Sequence, residues 1–508
     1  MSRTRSSTVD DVVARSARRF PDRIALLFAD RRWTYADLDA AVSRAAVALL
    51  STGLVKGDRV AAYGKNSDAY LLGYLACARA GLVHVPINYA LTKDELGYLL
   101  KVSGARLVLV DPVLADRLAG SGVEVEKVLE LRDAPDSLLE LSSTGDVPEV
   151  DVEVDDSDLV QFLFTSGTTS RPKAAMMTHR ALVHEYASSV LALDAHESDA
   201  PLHAMPLYHS AGMHVFLLPY LAVGATNHLM EAPDVPEILG RIEADRIGAL
   251  FLAPTVWVPL SHHSDLGTRD LSSLRKAFYG ASIMPVPVLQ GLQRTLPGLG
   301  FYNLFGQSEI GPLATVLKPD EHADRPDSCG RSVLFVEVRV VDEAGDDVRA
   351  GELGEVVYRS PQLCEGYWND PEATAEAFKD GWFHSGDLVR MDDQGYITVV
   401  DRIKDVINTG GVLVASREVE DALYTHPSVA EVAVIGTPDD RWIEAVTAFV
   451  VVKQPVDADD LVAHAKTRLA GFKVPKHVHV VDELPRNASG KLLKRVLREV
   501  ELGERASS

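Results

Sequence analysis

The run Leu159-Val-Gln-Phe-Leu-Phe164 passes directly into Thr165-Ser-Gly-Thr-Thr-Ser-Arg-Pro-Lys173. The first part has the length and composition of a buried strand bounded by polar turns. The second part supplies what a polyphosphate needs at a strand-to-loop turn. Backbone N–H groups and hydroxyls donate to its oxygens, and an ammonium offsets its charge. A Walker loop would place glycine directly before the lysine, but Pro172 stands there. Read alone, the segment serves equally as a phosphate cradle or a Ser/Thr-rich surface turn.

A strand that feeds such a loop belongs in a layered α/β body, and the flanking sequence agrees. Tyr35 to Leu50 carries apolar residues at helical spacing. Arg59 to Tyr63 and Ala105 to Val110 read as strands, and Tyr70 to Ile87 as a buried helix running into a strand. The acidic stretch 133–158, rich in Ser, Pro and Asp, reads as a solvated connection. Near Asp401 a smaller pattern begins, with helices at Glu418 to Tyr424 and Asp459 to Leu469 and strands at Val429 to Ile435 and Ala445 to Val452. At 508 residues the chain is too long for one core. The expectation is a large α/β N-terminal domain of layered sheets and helices, 1–400, and a small α+β domain, 401–508.

Composition removes several function classes. Lys and Arg number 51 against 73 Asp and Glu, a net charge of −22, which argues against broad adhesion to nucleic acid or anionic membranes. Cys77, Cys329 and Cys364 are too few and too scattered for a disulfide framework or a zinc site, and read as reduced thiols. The N-terminal segment has no apolar core of a secretory signal, and Arg79 and His84 interrupt the most apolar stretch. A cytoplasmic protein without a membrane span is expected.

Four further segments carry polar chemistry. In Asn303-Leu-Phe-Gly-Gln-Ser-Glu309 an aromatic can stack on a base and a carboxylate can hold Mg²⁺ beside phosphates. In Trp382-Phe-His-Ser-Gly-Asp387 a carboxylate in a turn can accept ribose hydroxyls, although an ordinary turn Asp reads the same way. Asp401-Arg-Ile-Lys-Asp-Val-Ile-Asn-Thr-Gly-Gly411 sits on the expected domain boundary, and Pro485-Arg-Asn-Ala-Ser-Gly-Lys491 offers one lysine near the C-terminus.

Taken together and in this order, the five segments resemble the adenylate-forming superfamily of acyl-CoA synthetases, firefly luciferase and peptide-synthetase adenylation domains. The resemblance extends to Phe20-Pro-Asp-Arg-Ile-Ala25, Trp33-Thr-Tyr35, Pro206-Leu-Tyr-His-Ser-Ala-Gly212 and Gly351-Glu-Leu-Gly-Glu-Val356, and Ala415-Ser-Arg-Glu-Val-Glu420 favours the acyl-CoA synthetase branch. It implies an AMP-forming acid–thiol ligase that uses Mg·ATP to form an acyl-adenylate and then transfers the acyl group to CoA, with AMP leaving. Thr165, Ser166, Gly167, Thr168, Thr169 and Lys173 would hold the β- and γ-phosphates, and Glu309 the Mg²⁺. Gly280, Ala281, Ser282, Asn303, Phe305, Gly306, Gln307 and Ser308 would line the AMP site. Asp387 would bind the ribose and Arg402 its phosphate side. Lys491 would stabilise the charge of the first transition state. The small domain would swing about Lys404, exchanging Lys491 for Gly410, Gly411 and Val412, which line the CoA tunnel. His209 would stand between that tunnel and an acyl pocket of Ala211, Gly212, Met213, Trp257 and Tyr279. A homodimer is the plain expectation of the family.

Two departures stand out. Ser170 and Ala174 occupy positions where the family usually has glycine, and an αL conformation would cost each roughly 1–2 kcal/mol. This raises the alternative of an enzyme that only converts an acyl-adenylate, supplied by a separate adenylating enzyme, to the thioester. A second alternative loads a carrier protein. Val412-Leu413 replaces the common Glu-Asn of the synthetase pattern. The small, apolar pocket residues favour a hydrophobic acid, fatty or bulky and cyclic. Arg275 is the nearest guanidinium for a second carboxylate, but Leu271 to Arg275 reads as a solvated helix start.

Overall fold

The structure, a computed structural model, describes residues 7–165, 172–282, 284–410, 412–439, 441–486 and 492–507. It separates into two compact units. The larger holds the N-terminal part of the chain, Pro172–Val338 and Tyr358–Phe383, and the smaller holds Arg339–Val357 and His384–Ser508.

Two sheets build the larger unit. In the six-stranded sheet the order is Lys127–Glu130, Leu107–Val110, Arg59–Tyr63, Val83–Ile87, Leu159–Thr165 and Lys173–Thr178, parallel except for the last pair. Leu107–Val110 and Val83–Ile87 are buried at every position, as parallel strands covered on both faces must be. The crossover helix Asp68–Ala80 is correspondingly buried on nearly all sides. Ser67 caps its start by accepting from the Tyr70 N–H, and Gly81 ends it in the left-handed region, φ 66°. At the centre of the nine-stranded sheet lie Gly300–Phe305, Lys276–Gly280, Ala249–Phe251 and Pro201–His203, all parallel.

Two segments differ from the sequence reading. The stretch 133–158 contains the helix Leu138–Ser143, capped by Ser137, and Leu138 is buried in the same core as Leu131 and the helix Tyr35–Ser51. Leucines at 138 and 139 are enough to dock the segment despite its acidic surroundings. Leu271 to Arg275 forms a turn, not a helix start, because Leu271 and Leu274 are drawn into the core and the Arg275 N–H donates to the Gly248 carbonyl (2.9 Å).

In the smaller unit the antiparallel strands Val429–Asp439 and Ile443–Val452 pair closely, and the second also receives Ile407–Thr409 and His477–Val480. The helices Ser416–Tyr424 and Ala458–Lys466 cover one face through Val419, Leu423, Leu461 and Ala465. Leu497, on helix Lys494–Ser507, packs with Ala433, Ile435 and Phe449. Among the described residues no helix is long and apolar enough to cross a membrane.

Candidate active site

The carboxyl ends of parallel strands are where open α/β sheets bind ligands, and several motif residues of the larger unit lie at such ends. Tyr279 pairs with Asn303 and Gly280 with Leu304 on adjacent parallel strands, so Gly280-Ala281-Ser282 and Asn303-Leu304-Phe305 leave the nine-stranded sheet side by side. A Cβ on Gly280 would overlap the Leu304 carbonyl oxygen, which fixes glycine there. Ala281 and Ser282 are exposed, Ala281 at φ 62°. Asn303 donates to the Ser328 carbonyl (2.9 Å), and Phe305 is half-buried.

Beyond Phe305 the chain folds back on itself. Gly306, at φ 155°, lies where a Cβ would overlap the Pro312 carbonyl. The 3₁₀ turn Ser308–Ile310 then presents Glu309, which is largely buried. Its carbonyl accepts from the Cys364 N–H (2.8 Å), and its Oε1 accepts from the Tyr367 hydroxyl (2.9 Å). The Tyr367 ring lies under Lys173 Nζ, 5.2 Å from its centroid, so one tyrosine joins the cation of the six-stranded sheet to the carboxylate of the nine-stranded one. Burial, with Glu309 as a second cause, pushes the Cys364 thiol up to about 12, which leaves it protonated and inert.

Among the described residues no group of three or more His, Cys, Asp or Glu could hold a metal. Glu309 alone, with Oε1 held by Tyr367, suits a hard cation that takes one protein carboxylate and completes its shell with phosphate oxygens and water. That donor set fits Mg²⁺.

The structure bears directly on the two glycine departures. Ala174 lies within strand Lys173–Thr178, opposite Phe164, and its carbonyl accepts from the Trp368 N–H (2.8 Å). Its backbone is extended, where a Cβ costs nothing, so the αL strain expected there is absent. Thr165 closes the same hairpin opposite Lys173. Ser166, Gly167, Thr168, Thr169 and Ser170 lie outside the described residues, as do Gly411 and Lys491.

Strand Pro201–His203 leads to His209, which is exposed, and then to a π-helical turn over Ala211–Leu217. The Ser210 hydroxyl is 3.2 Å from that of Ser308, which joins this segment to the Glu309 turn. A Cβ on Gly212 would come within 2.8 Å of the Pro206 carbonyl, and Met213 is fully buried. Behind Gly212 is an apolar cavity lined by Met205, Phe216, Phe251 and Phe278. Phe216 and Phe251 stack there with centroids 4.4 Å apart. Trp257 and Tyr279 are enclosed in the neighbouring core, Trp257 donating to the Phe278 carbonyl (3.0 Å) and Tyr279 bonded to His322 (3.0 Å). Arg275 lies at the opposite, amino end of its strand and faces Asp199 (3.6 Å).

In the smaller unit Asp387 is on a strand, not in the turn the sequence suggests. It pairs in register with Arg402, whose Nε lies 2.7 Å from Oδ1. Gly386, at φ 71°, donates its N–H to Glu355 (2.8 Å). Lys404 is exposed on the short turn Ile403–Asp405, and Asp405 accepts from Arg498 (2.8 Å). Gly410 has φ 64°, and Val412, two residues on, is exposed.

Three supporting residues escaped the sequence reading. Tyr367 could have been suspected from the aromatic pair that follows Gly366. Gln362 and Asn66 carry no such signal. The Gln362 amide donates to the carbonyls of Ile310 (3.3 Å) and Leu313 (3.2 Å), steadying the Glu309 loop. Asn66 donates to Met205 (3.0 Å) and Met230 (3.0 Å) and accepts from the Leu207 N–H (2.7 Å), which anchors the approach to His209.

Comparison with known proteins gives a concordant picture. Residues 13–368 match the family model described as AMP-binding enzyme, and residues 418–491 match the AMP-binding enzyme C-terminal domain. A feruloyl-CoA synthase of Amycolatopsis sp. is 38% identical over 486 residues, covering 95% of this chain and 97% of that protein. The structure of ATP-bound MatB from Rhodopseudomonas palustris superposes with a TM-score of 0.89 at 31% identity, over 97% of this chain and 99% of that one. The o-succinylbenzoate CoA synthetase MenE from Bacillus subtilis, in complex with the acyl-adenylate intermediate OSB-AMP, superposes at 0.88 with 29% identity, over 96% and 97%.

Proposed function

Since the chain belongs to the AMP-binding enzyme family, among its acid–thiol ligases, we propose that it converts a hydrophobic carboxylic acid to its CoA thioester through an acyl-adenylate. The observation that carries this reading is the Lys173–Tyr367–Glu309 arrangement beside the strand ends that bear Gly280, Asn303 and Phe305. Lys173 and the loop from Thr165 to Thr169 hold the β- and γ-phosphates of ATP, while Glu309, oriented by Tyr367, holds Mg²⁺. Bound there, the metal supplies charge neutralisation at the phosphates. Phe305 packs on adenine with Gly280 to Ser282 around it, Asp387 takes the ribose hydroxyls, and Arg402 fixes the Asp387 carboxylate. Lys491 stabilises charge at the α-phosphate as the carboxylate attacks.

The second half-reaction needs a different surface. Residues 401–508 turn about Lys404, and Gly410, Gly411 and Val412 line the pantetheine path, where glycine allows close approach. The short turn that carries Lys404 is tethered by the Arg498–Asp405 pair, which suits a localised pivot.

The acid is apolar, and a compact cyclic acid is favoured over a long chain. Gly212 borders a small apolar cavity whose depth the Phe216–Phe251 stack closes. The feruloyl-CoA synthase relative supports this choice. Arg275, pointed away and engaged with Asp199, gives no support to a dicarboxylate. The three cysteines, buried and unbridged, suit a reducing cytoplasm.

The test is thioester formation followed by mass spectrometry. Aryl, polycyclic and fatty acids are each offered free with Mg·ATP, or as synthetic acyl-adenylates, with CoA or a phosphopantetheinylated carrier protein as acceptor. Turnover of free cyclic acids with CoA is expected. Turnover only from supplied adenylate, or only onto the carrier, overturns the proposal.

A further inference from the structure

Five polar side chains on five different elements of the larger unit form one buried chain. Tyr74 is on helix Asp68–Ala80, Tyr186 on helix His179–Ala192, His214 in the π-helical turn Ala211–Leu217, Gln161 on strand Leu159–Thr165 and His84 on strand Val83–Ile87. None is more than 2% exposed. The Tyr74 and Tyr186 hydroxyls are 3.3 Å apart, and Tyr186 lies 3.0 Å from His214 Nδ1. His214 Nε2 lies 2.6 Å from Gln161 Oε1, and Gln161 Nε2 lies 3.0 Å from His84 Nδ1.

With the Gln161 amide oxygen toward His214 and its nitrogen toward His84, the chemistry of the other groups sets the direction of every bond. Burial lowers both histidines to about 3, so they are neutral and each ring carries one proton. Gln161 Oε1 can only accept, so the proton of His214 is on Nε2, and Nδ1 must accept from the Tyr186 hydroxyl. The Tyr186 oxygen then accepts from Tyr74. At the other end the Gln161 amide donates to His84 Nδ1, which leaves the His84 proton on Nε2, a buried atom with no partner among the described residues. Gln161 is therefore the one group that satisfies a ring on each side of it.

The chain connects two parts of the proposed site. Gln161 precedes Thr165 on the strand that enters the phosphate loop, and His214 follows His209 in the turn that carries Ala211 and Gly212. A π-helical turn is an uncommon register that frequently marks functional positions, and something outside it must hold it in place. Gly212 already packs against the Pro206 carbonyl, so a change of register would move the wall of the acyl pocket.

We propose that Gln161 and His214 are positioning residues that lock the π-helical acid-binding turn onto the strand leading to the phosphate loop. This rests on the acyl-CoA ligase reading. With Gln161→Leu, His214 loses the partner of its Nε2 and His84 that of its Nδ1 in a site closed to water, and the turn loses its tie to the strand. The nucleotide side is held independently by the strand ladder from Leu159 to Thr165.

Steady-state kinetics of the purified full-length protein tests the proposal, using an acid the wild type accepts. Gln161→Leu should raise the KM for the acid about tenfold, with the KM for ATP and kcat changed less than twofold. Gln161→Leu/His214→Leu should be no worse than the more impaired single variant, because both act through one chain. Tyr186→Phe, which deletes one hydroxyl and keeps the ring, covers the case in which Gln161→Leu does not fold, and should raise the acid KM about threefold. Acid KM values within twofold of wild type, or losses in kcat alone that track the folded fraction, overturn the assignment. If the wild type turns over no acid, the functional reading fails, and ¹⁵N NMR of the histidines decides the structural part. His214 protonated on Nε2 supports the chain, and protonation on Nδ1 refutes it.

Discussion

Ala174→Gly separates two accounts of the phosphate loop by the sign of its effect. If position 174 required a left-handed backbone, glycine would relieve about 1–2 kcal/mol of strain and quicken adenylation by roughly an order of magnitude. The structure instead puts Ala174 in an extended strand, opposite Phe164, its carbonyl accepting from the Trp368 N–H and its methyl buried in the same core as Phe162. Glycine then removes a buried methyl, about 0.8 kcal/mol, and frees a strand backbone at a further 0.5–1 kcal/mol or so. The variant should be less stable by about 1.5 kcal/mol, a fall of roughly 1–2 °C in Tm. Its ATP–pyrophosphate exchange, measured with an acid the wild type uses, should stay within twofold. A variant that is more stable, or that exchanges tenfold faster, would refute the extended-strand argument and restore the case for an impaired ATP half-reaction.

Two further outcomes are expected. Tyr367→Phe keeps the ring beneath Lys173 but removes the donor to Glu309 Oε1, which costs a buried carboxylate about 1–3 kcal/mol. Adenylation should fall about 10- to 100-fold and need more Mg²⁺ for half-maximal rate, while thioester formation from supplied adenylate stays within twofold; equal losses in both steps would remove Glu309 from the phosphate side. Burial also holds His84 and His214 at about 3 and His179 and His203 at about 4, all below the unfolded value of about 6.5. The unfolded chain therefore binds the extra protons, so stability is full above about pH 7 and falls as pH drops through 6.5, by about 2 kcal/mol per histidine at pH 5. The urea midpoint should drop steadily from pH 7.5 to 5, and a flat profile would show these rings are not buried neutral.

What the sequence makes legible follows from how local each determinant is. Arg59–Tyr63 is found with the bounds read from its apolar run, because a parallel strand buried on both faces writes its whole length in one composition. The motif glycines are legible for a related reason: Gly280 and Gly306 answer to a backbone that would collide with a side chain, a constraint fixed at one position. Ala174 shows where this logic stops. A family habit of glycine says nothing about φ in this chain, and only the pairing with Phe164 reveals an extended residue. Tyr367, Gln362, Asn66 and the Tyr74–His84 chain were invisible because each acts across the fold on a residue far away in sequence. Gln161 looks like a stray polar residue in LVQFLF until His84 and His214 close on its two ends. The residues proposed to touch substrate are thus written in short motifs, whereas those proposed to hold them still are single polar residues inside apolar runs. Such a residue in a buried strand requires a partner for each end, so Gln161 was itself a signal, one that named no partner until the fold supplied both.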